Sequence, residues 1–222
     1  MTGLSIGNRP IGPGHEPFLV LEAGINHNGR LELALDMIRV AKEAGADAIK
    51  FQTFRAHEII SDPNLTYTYS SQGQQVTESM LEVFRRYELE VEDWQRIKQA
   101  CEQAGITFLS TPQNPSDLEL LLKVGVPAVK VGSDDFTNLP LLARYAQAGL
   151  PLILSCGMAD AEEIKRSLAT VGWANGFPTV LLVCTSQYPT PPSDANLRRI
   201  ATLRADYPGL VVGFSEIGRA HV

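Results

Sequence analysis

Apolar and polar positions along the chain repeat in one order. A short apolar stretch ends in polar residues, a helix-period segment follows, a glycine closes it, and the next apolar stretch begins. Residues 18–24 read as the first strand. Ala34, Met37, Ile38 and Ala41 then fall at i, i+3, i+4 and i+7, one face of a helix. Gly45 stands where a left-handed C-cap is wanted. Residues 48–54 read as strand two. Trp94, Ile97, Ala100, Cys101 and Ala104 make a helix face closed by Gly105, and residues 107–111 are strand three. Leu118, Leu121 and Leu122 lie on a helix closed by Gly125, before strand four at 128–133. A helix over 139–148, closed by Gly149, leads to strand five at 152–156. Asp160 with Glu163 has capping-box spacing for the next helix. Strand six is expected at 180–186, a helix at 193–205, and strand seven at 210–215.

Strands that alternate with helices imply an α/β protein with a parallel sheet and helices outside it. No GxGxxG run opens a helix, which disfavours a doubly wound dinucleotide-binding sheet. The pattern fits a (β/α)8 TIM barrel, a fold of usually ~250 residues, here incomplete with seven strands present. Residues 1–17 hold a Gly- and Pro-rich stretch and are expected to form a β-hairpin plugging the N-terminal end of the barrel. Residues 18–215 are the expected truncated barrel domain, and 216–222 an expected non-native tail. Residues 55–90 form a long insertion after strand two, with a helix expected near 78–87. In a barrel that loop overlies the active-site face.

Composition narrows the function classes. The chain has 222 residues, 44% hydrophobic and 20% charged, as in an ordinary globular protein. Its net charge of −6 argues against general nucleic-acid affinity, so positive charge for an anionic ligand must be local. Cys101, Cys156 and Cys184 show neither a disulfide framework nor metal spacing, and packing is their expected role. A reducing, cytoplasmic setting fits them. No signal peptide starts the chain, and no apolar run reaches the ~18 residues of a membrane span.

Candidate chemistry collects at strand ends, where barrels place their sites. Strand one carries Glu22, followed by Asn26, His27 and Asn28; strand two carries Lys50 and Gln52; strand three ends in Ser110 and Thr111. Strand four carries Lys130, then Ser133 and Asp135; strand five ends in Ser155; strand six leads to Thr185, Ser186 and Tyr188. Side chains alternate along a strand, so Lys50 and Gln52 oppose Ile49 and Phe51, and Lys130 opposes Val129 and Val131. Both lysines therefore point into a barrel, where an unpaired ammonium is costly. Two such lysines beside several hydroxyls suit a small polyanion bearing phosphate or carboxylate. The alternative is a structural ion pair with Glu22 or Asp135. Asn26-His27-Asn28-Gly29 also reads as a turn opening the first helix, which leaves His27 unassigned. His15 and His57 stand in surface-type segments.

The runs LEAGINHNG (21–29), GADAIKFQTF (45–54), FLSTP (108–112), GVPAVKVGSDDFTNLPLL (125–142), LILSCGM (152–158) and CTSQYPTPP (184–192), with NLRRI (196–200), resemble the N-acetylneuraminate (sialic acid) synthase family. The resemblance implies a nonulosonate synthase, a transferase that condenses phosphoenolpyruvate with an N-acylmannosamine-type amino sugar and releases phosphate. Lys50, Thr111, Lys130, Ser133, Ser155, Ser186 and Tyr188 are the implied phosphoenolpyruvate-binding residues. Glu22 and Asp135 are the implied catalytic pair, with Gln52, Asn26 and His27 beside them. It also implies a divalent metal, Mn2+ or Mg2+, and a homodimer for a full-length parent. Competing readings are a Schiff-base aldolase and a non-catalytic phosphosugar-binding barrel. Spore-coat and flagellar sugars are substrate alternatives within the family.

The sequence departs from that family at its end. A metal histidine is expected where Ile217 stands, and the second belongs on a strand eight that the sequence does not contain. The implied metal ligands are therefore missing from this chain, and it is expected to be inactive as a synthase. His221 lies four residues beyond the expected position.

Overall fold

The computed structural model describes residues 3–71 and 73–216. The chain divides into two compact units, one of Val20–Val126 and one that joins the segment through Leu19 to Pro127 onward. The residues on which the expected non-native tail chiefly rests, 217–222 with Ile217 and His221, lie outside the described residues.

The unit containing the N-terminus opens with the expected hairpin, β1 (Leu4–Ile6) paired antiparallel to β2 (Arg9–Ile11). Ile6 and Ile11 are its buried side chains. The hairpin lies against Pro127 and Val211: a Cβ added at Gly7 would stand 3.9 Å from Pro127 Cβ, and one at Gly12 would stand 3.2 Å from Val211 Cγ2. Pro127 precedes one strand of this unit and Val211 begins another, so the hairpin caps N-terminal strand ends.

The unit of Val20–Val126 is built on a three-stranded parallel sheet. After β3 (Val20–Gly24), α1 (Leu31–Glu43) buries Ala34, Ile38 and Ala41, three of the four predicted face positions. Gly45 follows its C-cap at φ +82°, and Ala46 N–H reaches back to the Ala41 carbonyl, closing the helix as expected. Strand β4 (Ala48–Thr53) lies between β3 and β7 (Thr107–Pro112). Helices α2 (Ala56–Ile59) and α3 (Met80–Arg85) flank a second antiparallel hairpin, β5 (Thr66–Ser71) and β6 (Gln74–Ser79). The helix predicted near 78–87 is thus shorter, because Glu78 belongs to β6. The residues around it, TYTYS and QVT, favour paired strands over helix. Thr68 and Thr77 hydroxyls bond across that pair at 2.8 Å.

Helix α4 (Val91–Ala104) buries Trp94, Ile97 and Cys101, and ends at Gly105 with φ +66°. Trp94, Phe51 and Phe108 form the aromatic core of this unit, with ring centroids 6.0–6.3 Å apart. Removing a buried Phe of this kind costs about 3–5 kcal/mol. Helix α5 (Pro115–Val124) starts on a reciprocal cap between Asn114 and Asp117.

The first unit then resumes. Strands β8 (Val129–Val131), β9 (Leu152–Ser155), β10 (Thr179–Val183) and β11 (Val211–Phe214) form a parallel sheet in the order β11-β10-β9-β8. Between them lie α6 (Leu139–Ala146), α7 (Ala161–Val171), a 3-10 turn at Trp173–Asn175, and α8 (Arg198–Asp206). The Asp160/Glu163 capping box forms as predicted. Helix α8 starts later than the expected residue 193, because Asp194 N–H closes a turn onto the Pro191 carbonyl and Asn196 is left-handed (φ +43°). No helix among the described residues is long and apolar enough to cross a membrane.

Asp117 is 1% exposed and accepts the Asn114 N–H at 3.0 Å. Burial lifts its pKa from 3.8 to about 6. A raised folded-state pKa means the folded chain binds the proton more tightly, so this group's cost to stability grows as pH rises from 3.8 to about 6. Asp117→Asn keeps an acceptor for the cap without the buried charge. It is expected to raise stability at pH 7 by roughly 1–3 kcal/mol and to lose that gain toward pH 4, as read from urea melts at both pH values.

Candidate functional site

The candidate residues form two side-chain groups, one in each unit. In the unit of Val20–Val126, sheet register aligns Glu22 of β3 with Lys50 of β4, and Lys50 donates to the Glu22 carboxylate. The Lys50 side chain is 13% exposed and that of Glu22 30%. The ion-pair alternative for Lys50 therefore holds in this structure. One step along β4, Gln52 is in register with Thr111 of β7, which is buried. Neighbours in a parallel register share a sheet face, so Glu22, Lys50, Gln52 and Thr111 line one face toward the C-terminal ends of their strands. The opposite face carries Phe51, Thr53 and Ser110, where the two hydroxyls bond each other at 2.7 Å. Ser110 is thereby separated from Thr111, as strand alternation requires.

The loop after β3 splits two other candidates. Asn26 is exposed, while His27 is fully buried, its ring 6.1 Å from the Phe51 ring. His27 therefore belongs to the core on the Phe51 face rather than to the face of Lys50. Gly29 lies so close to α3 that a Cβ there would run into the Arg86 carbonyl oxygen.

The second group is built on β8 and β9. Lys130 is 6% exposed and donates to the Val131 carbonyl at 2.6 Å and to Ser155 Oγ at 2.8 Å. Register pairs Lys130 with Ile153, which places Ser155 two residues further along the same face. Strand β8 is shorter than predicted, so Ser133 and Asp135 lie in the loop beyond it. Ser133 Oγ contacts Cys184 Sγ at 3.2 Å. Asp135 accepts from Asn138 Nδ2 at 3.2 Å, and burial raises its carboxyl pKa.

Strand β10 ends at Val183, three residues before Ser186. Ser186 and Tyr188 consequently stand in an exposed loop, Tyr188 at 72%, with a cis Tyr188–Pro189 bond. His15 is exposed, and the His57 side chain is 66% exposed, as their segments suggest.

Two supporting residues escaped the sequence reading. Gly157 leaves space for Cys184: a Cβ there would stand 2.7 Å from Cys184 Sγ. Arg199, inside the NLRRI run, reaches the Cys156 carbonyl at 3.5 Å. The glycine between Cys156 and Met158 was the available signal, but only the neighbouring strand reveals its reason. All three cysteines are buried and free, and burial pushes the Cys101 and Cys156 thiols up to about 12 and about 11. Among the described residues no three His, Cys, Asp or Glu side chains converge in a way that would hold a metal ion.

Fold and site together define an α/β protein in which the parallel sheet of each unit carries a lysine and strand-end hydroxyls. The chain belongs to the NeuB family, whose sequence profile matches residues 37–219. It is 37% identical to the N,N'-diacetyllegionaminic acid synthase of Legionella pneumophila, over 95% of this chain and 60% of that protein. The human N-acetylneuraminate-9-phosphate synthase is 34% identical over 93% of this chain and 57% of its own length. The crystal structure of an N-acetylneuraminic acid synthetase from Leptospira borgpetersenii, in complex with citrate, superposes with a TM-score of 0.87 at 32% identity, over 99% of this chain and 71% of that one. The chain thus spans about three fifths of the length of these curated relatives.

Gly157→Ala is expected to lower stability by about 1–3 kcal/mol through overpacking against Cys184. A Gly157→Ala/Cys184→Ala double variant should recover part of the loss. Denaturant melts of the two single variants and the double variant measure the coupling.

Proposed function

We propose that this chain carries the phosphoenolpyruvate-binding part of a nonulosonate synthase, and that its strands belong to a TIM-type barrel. The observation that carries the reading is Lys130, a nearly buried ammonium bonded to the Ser155 hydroxyl at a strand end. A cation at that place answers phosphate and carboxylate oxygens with charge-assisted hydrogen bonds. Lys130, Ser155 and Ser133 receive phosphate and carboxylate oxygens, with Ser186 and Tyr188 added from the loop after β10. The family resemblance assigns Lys50 and Thr111 to phosphoenolpyruvate as well, and Glu22, with Asn26 and Gln52, to the amino sugar. Asp135, whose carboxyl burial makes a weaker acid, is the candidate for proton transfer near the reacting carbon.

In the reaction, C3 of phosphoenolpyruvate forms a bond to the aldehyde carbon of an open-chain N-acylmannosamine-type sugar. Water adds at C2, and phosphate departs with its bridging oxygen by C–O cleavage. A synthase of this kind is proposed to be a cytoplasmic homodimer that uses a divalent metal. The described residues do not supply a site that fits such an ion.

Titration calorimetry with phosphoenolpyruvate tests the reading. The chain should bind it, and Lys130→Met should weaken binding at least tenfold, about 1.4 kcal/mol, while circular dichroism stays native. Equal affinity in the native chain and the variant would remove Lys130 from the site. Borohydride treatment in the presence of pyruvate should leave Lys50 and Lys130 unmodified by mass spectrometry. An adduct on either would favour the Schiff-base aldolase.

A further inference from the structure

His27 sits in the turn after β3, yet it is fully buried beside Phe51. Its Nδ1 accepts the Gly29 N–H at 3.1 Å. A ring nitrogen that accepts carries no proton, so the neutral imidazole holds its hydrogen on Nε2. Nε2 is sealed from solvent and has no hydrogen-bond partner. Burial also lowers the pKa of this histidine, which keeps the ring neutral. A leucine or phenylalanine would fill an apolar site without a stranded donor. What the imidazole adds over such a side chain is the acceptor for Gly29.

That acceptor stands at the centre of the turn. Asn28 and Gly29 are successive left-handed residues, at φ +53° and +69°. The backbone donors on either side close onto carbonyls: Asn26 to Ala23, Asn28 to Ile25 and Arg30 to His27. Gly29 N–H instead uses the histidine, and from the other side the Arg86 carbonyl leaves no room for a Cβ at Gly29. The turn is therefore gripped between the His27 ring and α3. At its start, a Cβ on Gly24 would stand 3.5 Å from Glu22 Oε1 and 4.0 Å from Asn26 Nδ2, so both side chains border the space over Gly24.

We infer that His27 is a positioning residue: its Nδ1 holds the 25–29 turn so that Asn26 stands beside Glu22 where the amino sugar binds. The sugar part rests on the proposed synthase function. The turn itself does not.

The test compares the native chain with His27→Leu and His27→Asn, the latter placing an amide oxygen close to where Nδ1 accepts. Hydrogen exchange should show the Gly29 amide at least about tenfold faster in His27→Leu and within about threefold of native in His27→Asn. A long-range 1H–15N spectrum of the native imidazole should show the proton on Nε2. N-acetylmannosamine affinity should fall at least about tenfold in His27→Leu and return in His27→Asn, while phosphoenolpyruvate affinity stays within about twofold.

The inference is overturned if Gly29 exchanges alike in the three proteins, or if the native ring carries its proton on Nδ1. It is also overturned if His27→Leu weakens both ligands equally. If the native chain binds neither ligand, the synthase reading fails, and Gly29 exchange with the tautomer still decides the role of His27. Should His27→Leu not fold, native tautomer and His27→Asn exchange decide it.

Discussion

An ammonium group buried on a sheet face sets the terms for much of this molecule. Transfer of a cation out of water is costly unless polar groups replace its hydration. Lys130 meets that demand with the Val131 carbonyl and the Ser155 hydroxyl. The register of β8 on β9 makes this possible, because Lys130 stands opposite Ile153 and Ser155 follows on the same face. Lys50 meets the same demand differently, through the Glu22 carboxylate that register sets directly beside it. The two lysines are chemically distinct as a result. Lys130 donates to a carbonyl and a hydroxyl, whereas Lys50 donates to a carboxylate.

The surroundings of these groups are shaped by what is left out as much as by what is present. Gly157 has no side chain, and Cys184 occupies the space and contacts Ser133. Gly29 has none, and the Arg86 carbonyl closes on the turn that bears Asn26. Arg86 is itself tied to Glu78 by two bonds of 2.6 and 2.8 Å, and Glu78 accepts the Tyr69 hydroxyl at 2.5 Å. Those bonds hold the Glu78 carboxyl down to about 2. The hairpin of β5 and β6 is thus connected to the loop after β3 through backbone contact and a fixed carboxylate. Such fixation suits a binding surface, where ordering that is completed in advance need not be met on ligand arrival.

Membership of the NeuB family brings a wider chemistry into view than this chain displays. Among its relatives are an N,N'-diacetyllegionaminic acid synthase and an N-acetylneuraminate-9-phosphate synthase, of which this chain spans 60% and 57%. The shared region carries the strand-end lysines and hydroxyls.

The sequence by itself determined the alternation of strands and helices, since period-2 and period-3.6 burial are properties of each segment taken alone. It determined the glycine stops at 45, 105 and 125, the Asp160 capping box, and the sidedness of Lys50 and Lys130, for the same local reason. Runs such as AIKFQTF also carried the family. The hairpin at 66–79, the late start of α8 at Arg198, and the loop setting of Ser133, Ser186 and Tyr188 were decided by pairing and packing between distant segments. His27 shows the division within one residue. Its position in a turn was legible in the sequence. Its burial against Phe51 was not, because Phe51 reaches it only after β4 has paired with β3. Whether Lys50 met Glu22 or Asp135 was likewise open until register chose Glu22, since a strand's pattern fixes which face a side chain takes but not which neighbour it meets.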